Sequence, residues 1–504
     1  MGNTRSEYAI KNIIYNLLFK LITLLLAFVS RTVFIWGFGI EYLGLNGLFS
    51  DVLNLLSMAD LGFGIAMVYS FYEPLARKDY NKLSALVNYY KKVYVVIAVV
   101  VFIAGILLVP FLPYIINLPE KIPLMYVYYF FALANVMASY IYVYKTAILT
   151  ADQKNYRVVK VSMVTNILKS VLQIISILLL KNYIVYLAIG TISVIVSNFY
   201  SSHIATNEYP MLNSTSELSK EEKKGIIENL SSVFIIKFVS VVLNATDNII
   251  ISVIIGTIAV GYYSNYLMIQ TNLMGFYTLV FSAVTASIGN LIVTESYEKR
   301  YKVFSSCQTI GFMASCVVVP CYVGLINDFI YLWIGNDYIF DNLVVIAIGV
   351  NMYLSCVLQP LWSYREATGL YKKTKWAMIA CAALNIILSV ALGRLIGIAG
   401  IIFASALARL LTYFWYEPAI LFKEFFNKKT GGYYLELAKN FLVISIICVL
   451  VIFVNSKLNI NSFADWLINA IAIFIVSSAC AFLVYRKTEG MQIILSYLKK
   501  LKKR

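Results

Sequence analysis

The 504-residue sequence is 61% hydrophobic and only 13% charged, whereas a soluble protein of this length would be roughly one-quarter charged. Its 41 Lys and Arg against 25 Asp and Glu give a formal charge of +16, which on a soluble chain would indicate a nucleic-acid partner. Here the composition excludes a soluble enzyme and disfavours nucleic acid, since the basic residues cluster in every second loop between apolar runs.

The apolar runs predict an all-α integral membrane protein with about fourteen transmembrane helices. Each run is about twenty residues long, which is enough to cross the hydrocarbon core of a bilayer. Lipid cannot satisfy backbone hydrogen bonds, and the runs do not alternate as barrel strands would, so they are helices. The predicted spans lie near 12–38, 45–72, 90–112, 123–146, 158–180, 183–205, 230–256, 262–290, 304–327, 342–364, 376–396, 398–420, 435–455 and 465–485.

The spans divide into two pseudo-symmetric six-helix lobes and a two-helix appendage. The prediction places helices 1–6 in an N-lobe at 1–206, a linker at 207–229, helices 7–12 in a C-lobe at 230–422, and helices 13–14 with a basic tail at 423–504. A shift of 217 residues places Lys20 on Lys237 and Gly44 on Gly261. Because each lobe has an even number of spans, the repeats run parallel, about an axis along the membrane normal.

The basic residues also predict the orientation in the cell membrane. Of the 41 Lys and Arg, 32 fall on one face and four on the other. Cytoplasmic loops carry the excess, so the linker, the tail and both termini are expected in the cytoplasm, with the protein in the inner membrane.

Ionisable side chains inside spans are candidate functional residues, because each costs roughly 3 kcal/mol to place in lipid. Helical spacing places several of them on polar stripes with hydroxyl and amide residues. Lys20, Thr23 and Arg31 share a stripe on the first helix, and the stripe on the fifth helix contains Ser162, Asn166, Lys169, Gln173 and Ser176. These stripes predict a hydrated cavity of net positive charge between the lobes, although polar groups can also serve only to join helices. The candidate substrate-binding cations are Lys20, Arg31, Lys169, Lys237 and Arg409.

Three intramembrane carboxylates, Asp51, Asp60 and Asp247, are candidates for ion coupling or structural pairing. Asp51 and Asp60 are nine residues apart and so lie on opposite sides of one helix. Arg31 and Asp51 lie at matched depth on consecutive antiparallel helices, which predicts that they pair.

Motifs for chemistry are missing from the sequence. There is one histidine, no phosphate-binding GxxxxGK[ST] loop, no GxSxG and no HExxH, and none of the seven cysteines forms a CxxC pair. We therefore expect no catalytic residue, no metal site and no cofactor, and a protein that is not an enzyme.

Several segments resemble the bacterial polysaccharide and O-antigen flippases, the polysaccharide transporter branch of the multidrug/oligosaccharidyl-lipid/polysaccharide exporter superfamily. The segments are Arg31–Ile35, Glu41–Phe49, Leu56–Gly64, Tyr72–Ala76, Thr246–Ser252 and Gly261–Ser264. The resemblance implies a flippase that moves a polyprenyl-pyrophosphate-linked oligosaccharide repeat unit across the cytoplasmic membrane by alternating access, for O-antigen (lipopolysaccharide), capsule or exopolysaccharide synthesis. Its implied partners are that lipid-linked oligosaccharide, membrane lipid and other polysaccharide assembly proteins.

Two other functions stay open. A drug or metabolite exporter of the same superfamily would more often have an acidic cavity than a basic one. A membrane polysaccharide polymerase or ligase would carry a large external loop, whereas the longest predicted outer loop, 327–341, has about fifteen residues.

Overall fold

The computed structural model describes residues 5–57, 63–120, 122–210 and 216–501 of the chain. Within these ranges every regular element is a helix, which confirms the predicted all-α membrane fold. The α-helices are α1 Arg5–Phe38, α2 Ile40–Leu56, α3 Phe63–Arg77, α4 Tyr80–Leu108, α5 Leu112–Ile115, α6 Met125–Tyr140, α7 Val143–Ala151, α8 Tyr156–Leu180, α9 Tyr183–Glu208, α10 Lys220–Ile254, α11 Thr257–Thr294, α12 Tyr297–Ile334, α13 Asn342–Thr368, α14 Tyr371–Leu411, α15 Tyr413–Leu421, α16 Gly431–Asn455, α17 Phe463–Tyr485 and α18 Glu489–Leu501.

Nine helical segments of the described ranges are long and apolar enough to cross a membrane, or ten when the pair α6–α7, bent by 46°, is counted as one span. One of them, Lys373–Phe426, is 54 residues long, although one crossing requires only about 20. The backbone leaves helical geometry inside it at Ile396 and Gly397, between two predicted spans. Gly397 has a φ of +64°, which glycine adopts readily, so the helix is interrupted there. The total of fourteen stays a prediction.

The contacts divide the chain into two compact units, Met1–Gly261 and Tyr262–Arg504. The boundary falls within α11 rather than in the predicted linker. Helix α10, expected as the first helix of the C-lobe, begins at Lys220 and packs against α2 and α3 of the first unit. The division into two six-helix lobes stays a prediction.

A close glycine contact holds the start of α11 against α2. A Cβ on Gly44 would lie 2.2 Å from the Thr257 carbonyl oxygen, and one on Gly261 would lie 2.6 Å from that of Ile40. The 217-residue shift relates Gly44 to Gly261 and also Ile40 to Thr257. The contact is therefore reciprocal, as contacts across a two-fold axis are, and this supports an internal repeat.

Replacing Gly44 with alanine should destabilise the protein by about 1–3 kcal/mol, since the added methyl meets backbone that cannot move aside. Gly47→Ala, one turn away, is the matched control, because its nearest neighbour would be Val260 Cγ1 at 3.7 Å. Denaturant unfolding of both variants in detergent checks the expectation, and equal stabilities would contradict the close approach.

In the second unit, α12 is the central helix and packs against α13, α16, α17 and α18. Asn440 on α16 is fully buried. It accepts a hydrogen bond from Ser315 Oγ of α12 at 3.2 Å and donates one to Tyr485 Oη of α17 at 2.8 Å. Hydrogen bonds of this kind join helices where lipid offers no alternative partner. The last two predicted spans therefore dock on α12.

Candidate functional site

A cavity of about 440 Å³ lies among α2, α6, α8 and α9 of the first unit. Its polar residues are amides, hydroxyls and one ammonium, and no carboxylate occurs among the described residues that line it. The lining residues are Asn46, Ser50, Leu53, Asn54, Phe131, Ala132, Asn135, Val136, Lys169, Gln173, Tyr186, Leu187, Gly190, Thr191 and Val194.

Lys169 is the charged residue of this cavity. Its side chain is half-buried on α8, and none of the ion pairs found in the described ranges involves it. An ammonium group has three N–H donors and no acceptor, so it requires acceptor oxygens or an anion. Lys169 and the amide and hydroxyl groups around it are the side chains that can hydrogen-bond to an anionic or oxygen-rich ligand.

Packing among α6, α8 and α9 positions the amide side chains beside the cavity. Gln173 lies one turn beyond Lys169 on α8, and its Nε2 donates to the Tyr186 carbonyl oxygen of α9 at 3.0 Å. A Cβ on Gly190 would lie 3.4 Å from Gln173 Nε2 and 3.7 Å from Asn135 Nδ2. Gly190 therefore lies next to both amide groups, and all three residues line the cavity.

Arg31 lies close to the cavity through one of its lining residues. Its guanidinium interacts electrostatically with Tyr186, and α1 packs along α8. Two of the predicted cations, Arg31 and Lys169, are therefore associated with one cavity.

The predicted pair between Arg31 and Asp51 is absent from the ion pairs of the described residues. Asp51 instead accepts a hydrogen bond from Asn248 Nδ2 of α10 at 2.5 Å. The physical reason is helix rotation: α2 packs mainly against α10, and Asp51 meets that helix. A matched depth in the membrane does not determine the direction in which a residue faces.

The described lining of this cavity includes none of the other predicted residues. Lys20 is half-buried on α1, and Asp247 is half-buried on α10. Asp60 and the Lys237 side chain lie outside what the structure describes. Arg409 belongs to the second unit, where its Nη1 lies 3.5 Å from Ser355 Oγ. The predicted roles of these residues stay predictions.

The second unit contains a buried ion pair that the sequence did not reveal. Arg365 Nη1 of α13 lies 3.2 Å from Glu417 Oε2 of α15, and the two side chains are 12% and 2% exposed. Arg365 Nε and Glu417 Oε1 have no hydrogen-bond partner. Both residues, together with Arg409, interact electrostatically with Tyr413. Arg409 is thus part of a buried charged cluster.

Three lining residues of α2 were also missed. Asn46, Ser50 and Asn54 recur every four residues and so share a face of the helix. This spacing alone would have predicted a polar face on α2. Conversely, Thr23, predicted on the polar stripe of the first helix, donates its hydroxyl to the Phe19 carbonyl oxygen of its own helix at 2.8 Å.

Comparison with known proteins agrees with this architecture. The sequence profile of a family described as "Polysaccharide biosynthesis protein" matches residues 9–286, which is more than half of the 504 residues. No curated protein matches the chain by sequence.

Several solved structures are similar to the chain in fold. The lipid II flippase MurJ, in an inward closed conformation, is 15% identical with a TM-score of 0.65, covering 92% of this chain and 99% of its own. An inward-facing multidrug resistance MATE family transporter of the MOP superfamily is 15% identical with a TM-score of 0.62, covering 81% and 96%. An outward-facing MATE family transporter is 15% identical with a TM-score of 0.56, covering 81% and 93%.

Identities this low show a common fold and nothing finer. The family match covers the segments on which the predicted resemblance rests, and it confirms that resemblance. The chain is a multi-pass membrane protein that belongs to the polysaccharide biosynthesis protein family, with the helical fold of the MurJ and MATE structures.

Proposed function

We propose that the protein is a flippase that translocates a polyprenyl-pyrophosphate-linked oligosaccharide across the cytoplasmic membrane, for O-antigen, capsule or exopolysaccharide synthesis. The observation that carries the proposal is the cavity of the first unit, where Lys169 lies among amides and hydroxyls and the described lining residues include no carboxylate. Membership of the polysaccharide biosynthesis family supports a saccharide substrate.

The chemistry of the cavity suits such a headgroup. An ammonium binds phosphate oxygens through charge-assisted hydrogen bonds, which are stronger than neutral ones. Side-chain amides such as Asn46 and Asn135 can both donate to and accept from sugar hydroxyls. The polyprenyl chain needs no polar site, since it is as apolar as the surrounding lipid.

Alternating access is the proposed mode of transport. Proteins with this fold have been solved in inward- and outward-facing conformations, which supports a fold that can open to either side. In this proposal Lys20, Arg31, Lys237 and Arg409 are further cations for the substrate, and Asp51, Asp60 and Asp247 serve ion coupling or structural pairing.

A drug or metabolite exporter is the second candidate. A cationic drug would require a carboxylate to offset its charge, and the described lining of the cavity has none. The composition of the cavity therefore favours an anionic substrate.

The proposed orientation has both termini and the 207–229 linker in the cytoplasm, supported by the 32-to-4 distribution of basic residues. A cysteine introduced at position 213 should stay unlabelled when intact cells are treated with an impermeant thiol reagent. Labelling without permeabilisation would contradict the orientation.

Reconstitution into liposomes tests the proposed function directly. Vesicles would contain a fluorescent polyprenyl-pyrophosphate oligosaccharide, and a membrane-impermeant quencher would report the fraction that reaches the outer leaflet. We expect protein-dependent flipping of this lipid and none of a polyprenol that lacks the pyrophosphate and sugar. Equal flipping of both lipids, or export of cationic dyes instead, would contradict the proposal.

A further inference from the structure

A second polar cavity of the first unit, of about 510 Å³, lies between α4 and the chain segment that precedes α10. The described residues that line it are Asn88, Lys91, Lys92, Val95, Ser216 and Glu217. They include two lysines and one glutamate, so the described lining is net positive. It shares no described lining residue with the cavity that contains Lys169.

Hydrogen bonds fix the wall of this cavity that faces α4. Asn88 Nδ2 donates to the Ser216 carbonyl oxygen at 3.2 Å, and Lys92 Nζ donates to Glu217 Oε1 at 2.6 Å. The next residue, Leu218, is buried in an apolar core with residues of α3, α4 and α7. The segment is therefore held against α4 on both sides of Glu217, and the cavity is a built feature of the fold.

One lysine of the lining has no carboxylate partner among the described residues. Lys92 pairs with Glu217, whereas Lys91 belongs to none of the ion pairs found in the described ranges. Lys145 of α7 interacts electrostatically with Lys91 and is also outside those ion pairs, since its Nζ donates to the neutral Thr206 Oγ1 at 3.2 Å. Two ammonium groups this close repel each other, and an anion between them would offset that repulsion.

The position of Lys91 along α4 indicates what kind of anion fits. Lys91 and Lys92 are the last charged residues before an uncharged stretch, 93–119. Val95 and Val99 follow Lys91 at intervals of four residues and so continue its face of the helix. Both valines are exposed on a membrane-spanning segment, as lipid-facing side chains are. A cation followed by apolar surface along one face matches a phospholipid, whose phosphate precedes its acyl chains.

We propose that this cavity binds the phosphate group of an anionic phospholipid, with an acyl chain along the Val95 and Val99 face of α4. Ammonium groups bind phosphate oxygens through charge-assisted hydrogen bonds. Basic pockets between membrane helices are typical sites for anionic headgroups. A zwitterionic phospholipid carries a cation of its own, which Lys91 repels, so the site selects anionic lipid.

Lysines at the end of a span also orient a protein in the membrane, and this role depends on charge alone. It requires neither selectivity among lipids at one position nor any contribution from Glu217. Binding by the cavity requires both. The two roles therefore differ in what a binding measurement shows.

Native mass spectrometry of the delipidated full-length protein measures the binding directly. Phosphatidylglycerol is the anionic probe, and phosphatidylcholine with the same acyl chains is the control. Glycerol phosphate, which has no acyl chain, tests a soluble phosphate as the ligand. We expect phosphatidylglycerol to bind, phosphatidylcholine to bind about fivefold more weakly or less, and glycerol phosphate not to compete.

Four variants locate the binding. Lys91→Ala should weaken the binding of phosphatidylglycerol about fivefold, as expected for one lysine at a membrane surface, and Lys91→Arg should bind as the parent does. Glu217→Gln should strengthen it by about the same factor, because it removes the carboxylate from the lining and releases Lys92 to the phosphate. Lys160→Ala removes an exposed lysine of α8 outside the described lining and should leave the affinity unchanged. The substituted side chains are exposed, so all four variants should unfold as the parent does.

The proposal is overturned if phosphatidylglycerol and phosphatidylcholine bind equally well, or if glycerol phosphate binds as tightly as the lipid. It is equally overturned if Lys91→Ala, folded as the parent, binds with unchanged affinity, or if Glu217→Gln does not bind more tightly.

Discussion

Replacing Lys169 with alanine should reduce flipping of the pyrophosphate-linked oligosaccharide by about ten- to hundredfold in reconstituted vesicles. The physical reason is the loss of a charge-assisted contact to phosphate, worth about 1.5–3 kcal/mol in a partly buried site, with each 1.4 kcal/mol a factor of ten. No other cation occurs among the described residues that line the cavity.

Two control variants separate charge at the site from charge in general. Lys169→Arg keeps a cation in the cavity and should retain a large part of the transport rate. Lys181→Ala removes the same charge at the exposed end of α8 and should transport as the parent does. If Lys169→Ala flips substrate at the parental rate while correctly folded, Lys169 does not bind the substrate.

Stability distinguishes this role from a structural one. An ammonium that forms no ion pair in a half-buried position destabilises the fold, because its desolvation is not compensated. Lys169→Ala should therefore unfold at the same or a higher denaturant concentration than the parent, while transport falls. Binding residues commonly show this opposition between stability and function. Loss of both together would indicate that Lys169 serves packing.

The helical fold could be predicted from the sequence because a bilayer leaves few solutions. An apolar run must satisfy its own backbone hydrogen bonds, so run length and composition determine that it is a helix. Even the interruption at Gly397 falls between two predicted spans. The boundary between compact units could not be predicted, since it depends on contacts such as Gly44 against Thr257, far apart in sequence.

The candidate site was predictable in part. Spacing along the fifth predicted span placed Lys169 and Gln173 on one face, and both line the cavity. Periodicity specifies which residues of one helix share a face, but not which helix meets that face. The partners contributed by α2 and α6 therefore depended on the structure. For the same reason Asp51 meets Asn248 rather than Arg31.

The burial of Glu417 could not be predicted from the sequence. It follows the aromatic residues of α15 near the end of a predicted span, where a carboxylate usually reaches water. Arg365, its partner, was assigned to a cytoplasmic loop, whereas α13 continues to Thr368. Both groups are buried by tertiary packing of α13 against α15, and the sequence around either residue does not indicate this contact.

Glu417→Ala should lower the free energy of unfolding by about 3–5 kcal/mol, because it leaves the Arg365 guanidinium buried without a counter-charge. Arg365→Ala should cause a similar loss, since Glu417 is only 2% exposed. Denaturant unfolding of both variants in detergent would measure the two losses.

The double variant Arg365→Met/Glu417→Leu is the decisive member of the series. Replacing both partners of a buried pair with apolar groups of similar volume removes the desolvation penalty of each charge, so this variant should be far more stable than either single one. A surface ion pair serves as the matched control. Lys373 and Glu424 lie 2.5 Å apart, but their side chains are 54% and 35% exposed. Glu424→Ala should lower the free energy of unfolding by less than about 1 kcal/mol, because water already solvates both groups. If the losses for Glu417→Ala and Glu424→Ala are equal, Arg365 and Glu417 are solvated, and burial does not determine the strength of their pairing.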